Sequence, residues 1–184
     1  LKNKAIFLDR DGVIIKDAGH LNKKSQVRLI RGVSKAIKLL NKHYLVIVIS
    51  NQSVVARGMA TISEVQEINQ YILGLLSKKG AKIDAVYFCP HHPDFTGKCN
   101  CRKPETGLFK QAEKDFKISM DGSYMIGDKL IDIEAGKKAG CKTILVNNTL
   151  GNTENTENNI NILQKPDFEC ANLLDAVKII LSNN

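Results

Sequence analysis

The run Tyr44-Leu45-Val46-Ile47-Val48-Ile49 constrains this chain more than any other stretch. It is six residues long, apolar throughout and mostly β-branched. A strand with one wet face would alternate polar and apolar residues. This one does not, so it must be buried on both faces, as the strands of parallel sheets are. Parallel neighbours need long crossovers, which helices usually supply. The rest of the chain alternates accordingly. Ala5–Leu8 is a short apolar run ending in charge, hence a buried strand. Apolar residues at 33, 36, 37, 39 and 40 form one helical face. Thr61, with Glu64 three positions on, makes a capping box for a helix that runs to about Lys79 and stops at Gly80. Further strands are expected at 83–88, 124–126 and 143–146, and further helices at 106–116 and 130–139. A short edge strand is expected near Phe168, and an amphipathic helix closes the chain over 173–181. Residues 148–160 are polar and without period, so an exposed loop is expected there. The pattern predicts one α/β domain over 1–184, a parallel sheet with helices on both faces.

Size agrees with a single domain, since 184 residues can bury a sizeable core without staples. Aromatics are scarce and Trp is absent, so Ile, Leu and Val must build that core. The net charge of +8 suits either an anionic partner or a solvated basic surface. The lysines are spread along the chain and no RNA-binding aromatic signature accompanies them, so a small phosphate ester fits better than nucleic acid. No apolar run is long enough to span a membrane, and the start of the chain lacks a signal-peptide run. A cytoplasmic protein with no membrane partner is therefore expected. Five cysteines do not suggest a disulfide scaffold at this length. Cys141 and Cys170 are expected to be buried free thiols.

In parallel sheets ligands bind beyond the carboxyl ends of the strands. Three polar motifs stand there: Asp9 after the first strand, Ser50 after the second and Asp128 after the fourth. In Phe7-Leu8-Asp9-Arg10-Asp11-Gly12, the two acids share one side of an extended backbone. Close carboxylates repel, and a hard cation such as Mg²⁺ relieves them. A plain polar turn is the alternative. Asp128 can complete the Mg²⁺ shell or cap a helix, and Asp132, one turn on, can support Lys129 or a metal-bound water. Ser50-Asn51-Gln52-Ser53 offers a hydroxyl, amides and backbone N–H groups to phosphate oxygens, and Arg102-Lys103 adds cationic charge.

Cys89, His91, Cys99 and Cys101 lie within 13 residues as two close pairs. Three thiolates and an imidazole form a tetrahedral Zn²⁺ set. His92 is the alternative to His91, though the one-residue gap from Cys89 favours His91. Four protein ligands leave no place for water, so the zinc would be structural. It would pin the loop 89–101 and orient Arg102 and Lys103, which follow directly.

The set Asp-x-Asp-Gly, Ser-Asn-Gln-Ser, Arg-Lys-Pro and Gly-Asp-Lys resembles the haloacid dehalogenase-like phosphatases. The resemblance implies a three-layer Rossmann-like fold. It makes Asp9 the nucleophile, Asp11 the general acid and then base, and Ser50 and Lys103 the groups holding the phosphoryl oxygens. Mg²⁺ would be held by Asp9, Asp128 and the backbone carbonyl of Asp11. Segments FLDRDGVI (7–14), SNQSVVARG (50–58), CPHHPD (89–94), CNCRKPETG (99–107) and MIGDKLIDIEAGKKAG (125–140) resemble a narrower group. These are the D-glycero-D-manno-heptose-1,7-bisphosphate phosphatases, which remove the 7-phosphate. Family substrate positions then fall on Asp17, Ala18, Gly19, His20, Asn51, Gln52, Ser53, Arg102 and Lys129, with Arg102 reading the remainder of the sugar. One departure is Val54, where the family usually has Gly. Histidinol-phosphate phosphatase shares the aspartate motifs and a similar loop and is the nearest rival; Ala56-Arg57-Gly58 favours the heptose group. A nucleic-acid-binding zinc module leaves Asp9, Asp11 and Asp128 unexplained. Between Asp11 and Ser50 there is room for a loop and one helix but no large cap, so an open site on a monomer is expected.

Overall fold

The computed structural model describes residues 2–147 and 161–183. The polar segment 148–160, expected as an exposed loop, lies outside them. Six parallel strands form one sheet in the order β3-β2-β1-β4-β5-β6. They are β1 (Ala5–Leu8), β2 (Leu45–Asn51), β3 (Ala85–Cys89), β4 (Tyr124–Gly127), β5 (Lys142–Val146) and β6 (Phe168–Cys170). The connections carry helices α1 (Val33–Leu40), α2 (Ile62–Ser77), α3 (Pro93–Thr96), α4 (Gly107–Phe116) and α5 (Leu130–Ala139); α6 (Leu173–Ser182) follows β6.

Alternation along each strand divides the core into two layers. Ile6, Leu8, Val46, Val48, Tyr124 and Ile126 point to the face covered by α1, α2 and α6. Ala5, Phe7, Ile47, Ile49 and Met125 point to the other, against α4 and α5. Both faces of β2 are thus buried, as its unbroken apolar run requires. The capping box at Thr61 forms: Thr61 Oγ1 accepts from the Glu64 N–H at 3.2 Å, and Glu64 Oε2 accepts from the Thr61 N–H at 2.7 Å.

Differences from the sequence reading are local. β2 runs two residues beyond Ile49, because Ser50 and Asn51 keep their register with Phe88 and Cys89. β3 begins at Ala85 rather than 83. Cys141 is buried as expected, but Cys170 is only half-buried, since its short strand lies at the sheet edge. Between Asp11 and Ser50 the chain forms one 3₁₀ turn, α1 and loops, with no inserted cap. No helix among the described residues is long and apolar enough to cross a membrane.

The consequence for function is positional. The strand order reverses direction between β2-β1 and β4, and the crevice there opens at the carboxyl ends of the strands. Leu8 pairs with Val48 on one side and Ile126 on the other, so the residues following all three strands meet.

Candidate active site

A cleft of about 400 Å³ opens at this crevice. Asp9 and Lys103 form its floor; both are nearly inaccessible, at 6% and 2% exposure. Lys103 Nζ donates to Asp9 Oδ1 at 2.8 Å and to the Ile49 carbonyl at 2.8 Å, and lies 2.6 Å from Asp132 Oδ1. Burial alone would depress the lysine pKa; the charges of Asp132 and Asp9 outweigh it and hold the ammonium above its ordinary range. Burial pushes the Asp9 carboxyl up, the Lys103 charge opposes that rise, and Asp132 adds to it. A buried cation between two carboxylates is a preformed place for phosphoryl charge.

Several side chains expected to face a ligand are turned into the protein. Asn51 makes a reciprocal pair with the Lys103 backbone, donating to its carbonyl at 3.1 Å and accepting from its N–H at 3.0 Å. Gln52 is buried; its Nε2 donates to Ser50 Oγ at 2.6 Å and Asp11 Oδ2 at 2.8 Å. Both line the cleft, yet their amides are spent on positioning its other residues. Ser50 is 1% exposed and lies behind them. Asp132 supports Lys103 through Oδ1, and its Oδ2 accepts from the Lys129 backbone N–H at 3.2 Å. Support for Lys129 was one of the two expected roles, and it comes through the Lys129 backbone.

Asp17, Gly19, Ser53, Arg102 and Lys129 also line the cleft. Lys129 Nζ and Asp17 Oδ2 meet at 2.9 Å across its mouth. Burial works against the Asp17 charge, but the Lys129 hydrogen bond and the Gly19 N–H hold its carboxyl below the usual range. Arg102 donates to the His91 carbonyl at 3.0 Å. Ala18 and His20 are exposed and do not line the cleft, so two of the expected substrate positions are not brought in. Val54 lies buried at the cleft wall without positive φ, so its Cβ imposes no left-handed strain. Sequence reading missed Arg10, buried and bonded to Asp11, and Asn69 on α2, which accepts from Arg10 at 2.9 Å. A signal for Asn69 existed: it is the polar member of the buried stripe Val65, Ile68, Asn69, Ile72 and Leu76.

Among the described residues, two clusters suit metal ions. Oxygens of Asp9, Asp128 and Asp132 all lie within 4.8 Å of one another. Asp132 is committed to Lys103 and Lys129, whereas Asp128 Oδ1 is buried without a hydrogen-bond partner. A buried carboxylate oxygen left unpaired is costly unless a cation binds it. Gly12, at φ +83°, makes room for Asp128; a Cβ there would stand 2.0 Å from Asp128 Oδ2. The donors are hard oxygens, and they fit Mg²⁺.

Without metal, burial and the Asp9 charge push the Asp128 carboxyl up to about 7, against Lys129. The folded protein then keeps a proton that the unfolded chain releases near 3.8. The Asp128 contribution to stability is therefore fully present below that value and is lost as pH rises through about 7. Discounted for partial solvent access, the loss is about 2 kcal/mol. Thermal unfolding of the zinc-loaded protein without Mg²⁺ should show this fall in the parent and a smaller one in Asp128→Asn. Added Mg²⁺ should restore the parent at neutral pH but not the variant.

The second cluster is Cys89, His91, Cys99 and Cys101. Cys101 and Cys89 sulfurs are 2.9 Å apart, Cys89 and Cys99 3.6 Å, and Cys99 and Cys101 3.5 Å. His91 Nδ1 is 3.3 Å from Cys101 Sγ and 3.6 Å from Cys89 Sγ. Four soft donors converge on one point, as a closed Zn²⁺ site requires. His92 instead caps α3, accepting from the Asp94 N–H at 3.3 Å. The loop is clamped onto α4, where the Gly107 N–H donates to the Asn100 carbonyl at 2.8 Å; a Cβ on Gly107 would stand 2.3 Å from that oxygen.

Comparison with known proteins gives the family. A family model described as HAD-hydrolase-like matches residues 100–176. The D-glycero-β-D-manno-heptose-1,7-bisphosphate 7-phosphatase of Haemophilus ducreyi is 42% identical over 146 residues, covering 76% of this chain and 80% of that protein. The enzyme of the same name from Pasteurella multocida is 34% identical, covering 95% and 98%. The crystal structure of D,D-heptose 1,7-bisphosphate phosphatase from B. bronchiseptica, complexed with magnesium and phosphate, superposes with a TM-score of 0.86 at 28% identity, covering 98% of this chain and 99% of that one. With a relative this similar along nearly its whole length, the chain belongs to the D-glycero-D-manno-heptose-1,7-bisphosphate 7-phosphatase family of haloacid dehalogenase-like hydrolases.

Proposed function

We propose that this chain removes the 7-phosphate of D-glycero-D-manno-heptose 1,7-bisphosphate, carrying the phosphoryl group transiently on Asp9. The observation behind this reading is the Asp9–Lys103–Asp132 array beside the unpartnered Asp128 oxygen, in a chain whose full-length relatives bear that enzyme's name. An Asp9 oxygen forms a bond to phosphorus while the sugar oxygen leaves, and Asp11 supplies that oxygen with a proton. Asp11 then takes a proton from water as the water oxygen bonds to phosphorus and the Asp9 carboxylate departs. The covalent route divides one hard displacement into two in-line transfers. Lys103 stays in place throughout, facing the charge that develops on the phosphoryl oxygens. Asp9, Asp128 and the Asp11 carbonyl would hold Mg²⁺, which when bound offsets the repulsion between carboxylate and phosphate. Ser50 acts from behind the cleft, by fixing the Gln52 amide. Arg102, Lys129 and Asp17 surround the mouth and meet the rest of the sugar. On this reading the enzyme is a cytoplasmic monomer working on a small soluble ester.

Structural zinc is the other half of the proposal. Cys101→Ser should lose bound zinc, and kcat/KM should fall about 10- to 100-fold as Arg102 and Lys103 lose their anchor. Zinc content measured beside turnover checks this; full zinc with full activity would contradict it. The substrate is tested by kcat/KM for both anomers of heptose 1,7-bisphosphate and for histidinol phosphate. Preference for the heptose supports the reading, and preference for histidinol phosphate overturns it.

A further inference from the structure

Asp11 does not stand free in the cleft. Arg10 Nε donates to its Oδ2 at 3.2 Å, and Arg10 NH2 donates to its Oδ1 at 3.2 Å. Gln52 Nε2 donates to Oδ2 at 2.8 Å. Arg10 is itself only 2% exposed. Its NH1 donates to Asn69 Oδ1 at 2.9 Å, and its NH2 also donates to Gln52 Oε1 at 2.6 Å. A guanidinium is costly to bury unless its N–H groups find acceptors in good geometry. Here they find three side chains, Asp11 after β1, Gln52 after β2 and Asn69 in the middle of α2; Gln52 also donates to Asp11, and Asn69 reaches it only through Arg10.

Resting on the phosphatase reading, we propose that Arg10, held by Asn69 and Gln52, is a positioning residue that sets the Asp11 carboxyl for both of its proton transfers. Asp11 sits on a turn, where nothing periodic fixes its rotamer. The planar fork of Arg10 matches a carboxyl group in two places and fixes it. Arg10 borders the cleft, but its N–H groups are committed to Asp11, Gln52 and Asn69. Its effect on rate passes through Asp11 alone.

That dependence separates positioning from a general structural role. An alkoxide leaving group needs the Asp11 proton, whereas p-nitrophenolate departs without one. Arg10→Met is expected to slow heptose bisphosphate turnover about 100-fold, the usual worth of a placed general acid. First-turnover release of p-nitrophenol should fall by much less. In the Asp11→Asn background, Arg10→Met should cost nothing further, because both changes remove one function. Asn69→Ala, which spares the buried charge, should move the substrate ratio the same way by a smaller factor. Equal losses with both esters, or an undiminished Arg10→Met effect in Asp11→Asn, would overturn the proposal. Turnover of both esters by the parent tests the phosphatase reading independently.

Discussion

Asp9→Asn is expected to abolish phosphate release, a loss of about 10⁵-fold or more in kcat. The amide has the shape of the carboxylate but cannot supply the attacking oxygen. The site around it should persist, because Lys103 keeps Asp132 at 2.6 Å and the Ile49 carbonyl at 2.8 Å. Inactivity should therefore appear in a folded protein. Unfolding temperature and zinc content should stay close to the parent's while phosphate release falls to background. A variant within tenfold of the parent would exclude Asp9 as the phosphoryl acceptor.

Lys103→Met is expected to damage both folding and catalysis. The lysine is the cation between Asp9 and Asp132, and all three are almost fully buried. Removing it leaves two buried carboxylates facing one another without a counter-charge, a change that costs about 3–5 kcal/mol. Protonation of the pair relieves the repulsion, so the variant's deficit should shrink as pH is lowered. The same substitution deletes charge aimed at the phosphoryl oxygens, worth about 10²- to 10³-fold in kcat. Urea unfolding at two pH values, paired with turnover of the folded fraction, measures the two effects separately. A variant as stable as the parent at neutral pH would contradict the account of the buried array.

Much of this site was legible in the sequence because a parallel sheet leaves little freedom. Once the run at 44–49 demands parallel strands, the residues after β1, β2 and β4 must emerge on one side. Asp9 and Asp128 follow from that, whereas Ser50 falls inside β2 and behind the cleft. The four zinc-set residues were legible from spacing, and the structure gathers them. Side-chain direction in the turns was not legible, since turns carry no periodicity. Asn51 and Gln52 read as ligands for phosphate, but the one holds the Lys103 backbone and the other braces Asp11. Asp132 is one helical turn from Asp128, yet its partner is Lys103, which sequence places 29 residues away and loop 89–101 brings home. Arg10 lay hidden between two acids, where composition alone assigns it to solvent; its burial depends on Asn69, supplied by a helix that begins 52 residues later. Ala18 and His20 were placed by likeness to a family motif, and they do not line the cleft although their equally exposed neighbours Asp17 and Gly19 do.

The most direct test of the central claim is a ³¹P NMR time course of heptose 1,7-bisphosphate with the parent enzyme and Mg²⁺. The account predicts that the 7-phosphate resonance disappears as inorganic phosphate grows, while the 1-phosphate resonance persists. Loss of the 1-phosphate first, or no release from a folded, metal-loaded protein, would contradict it.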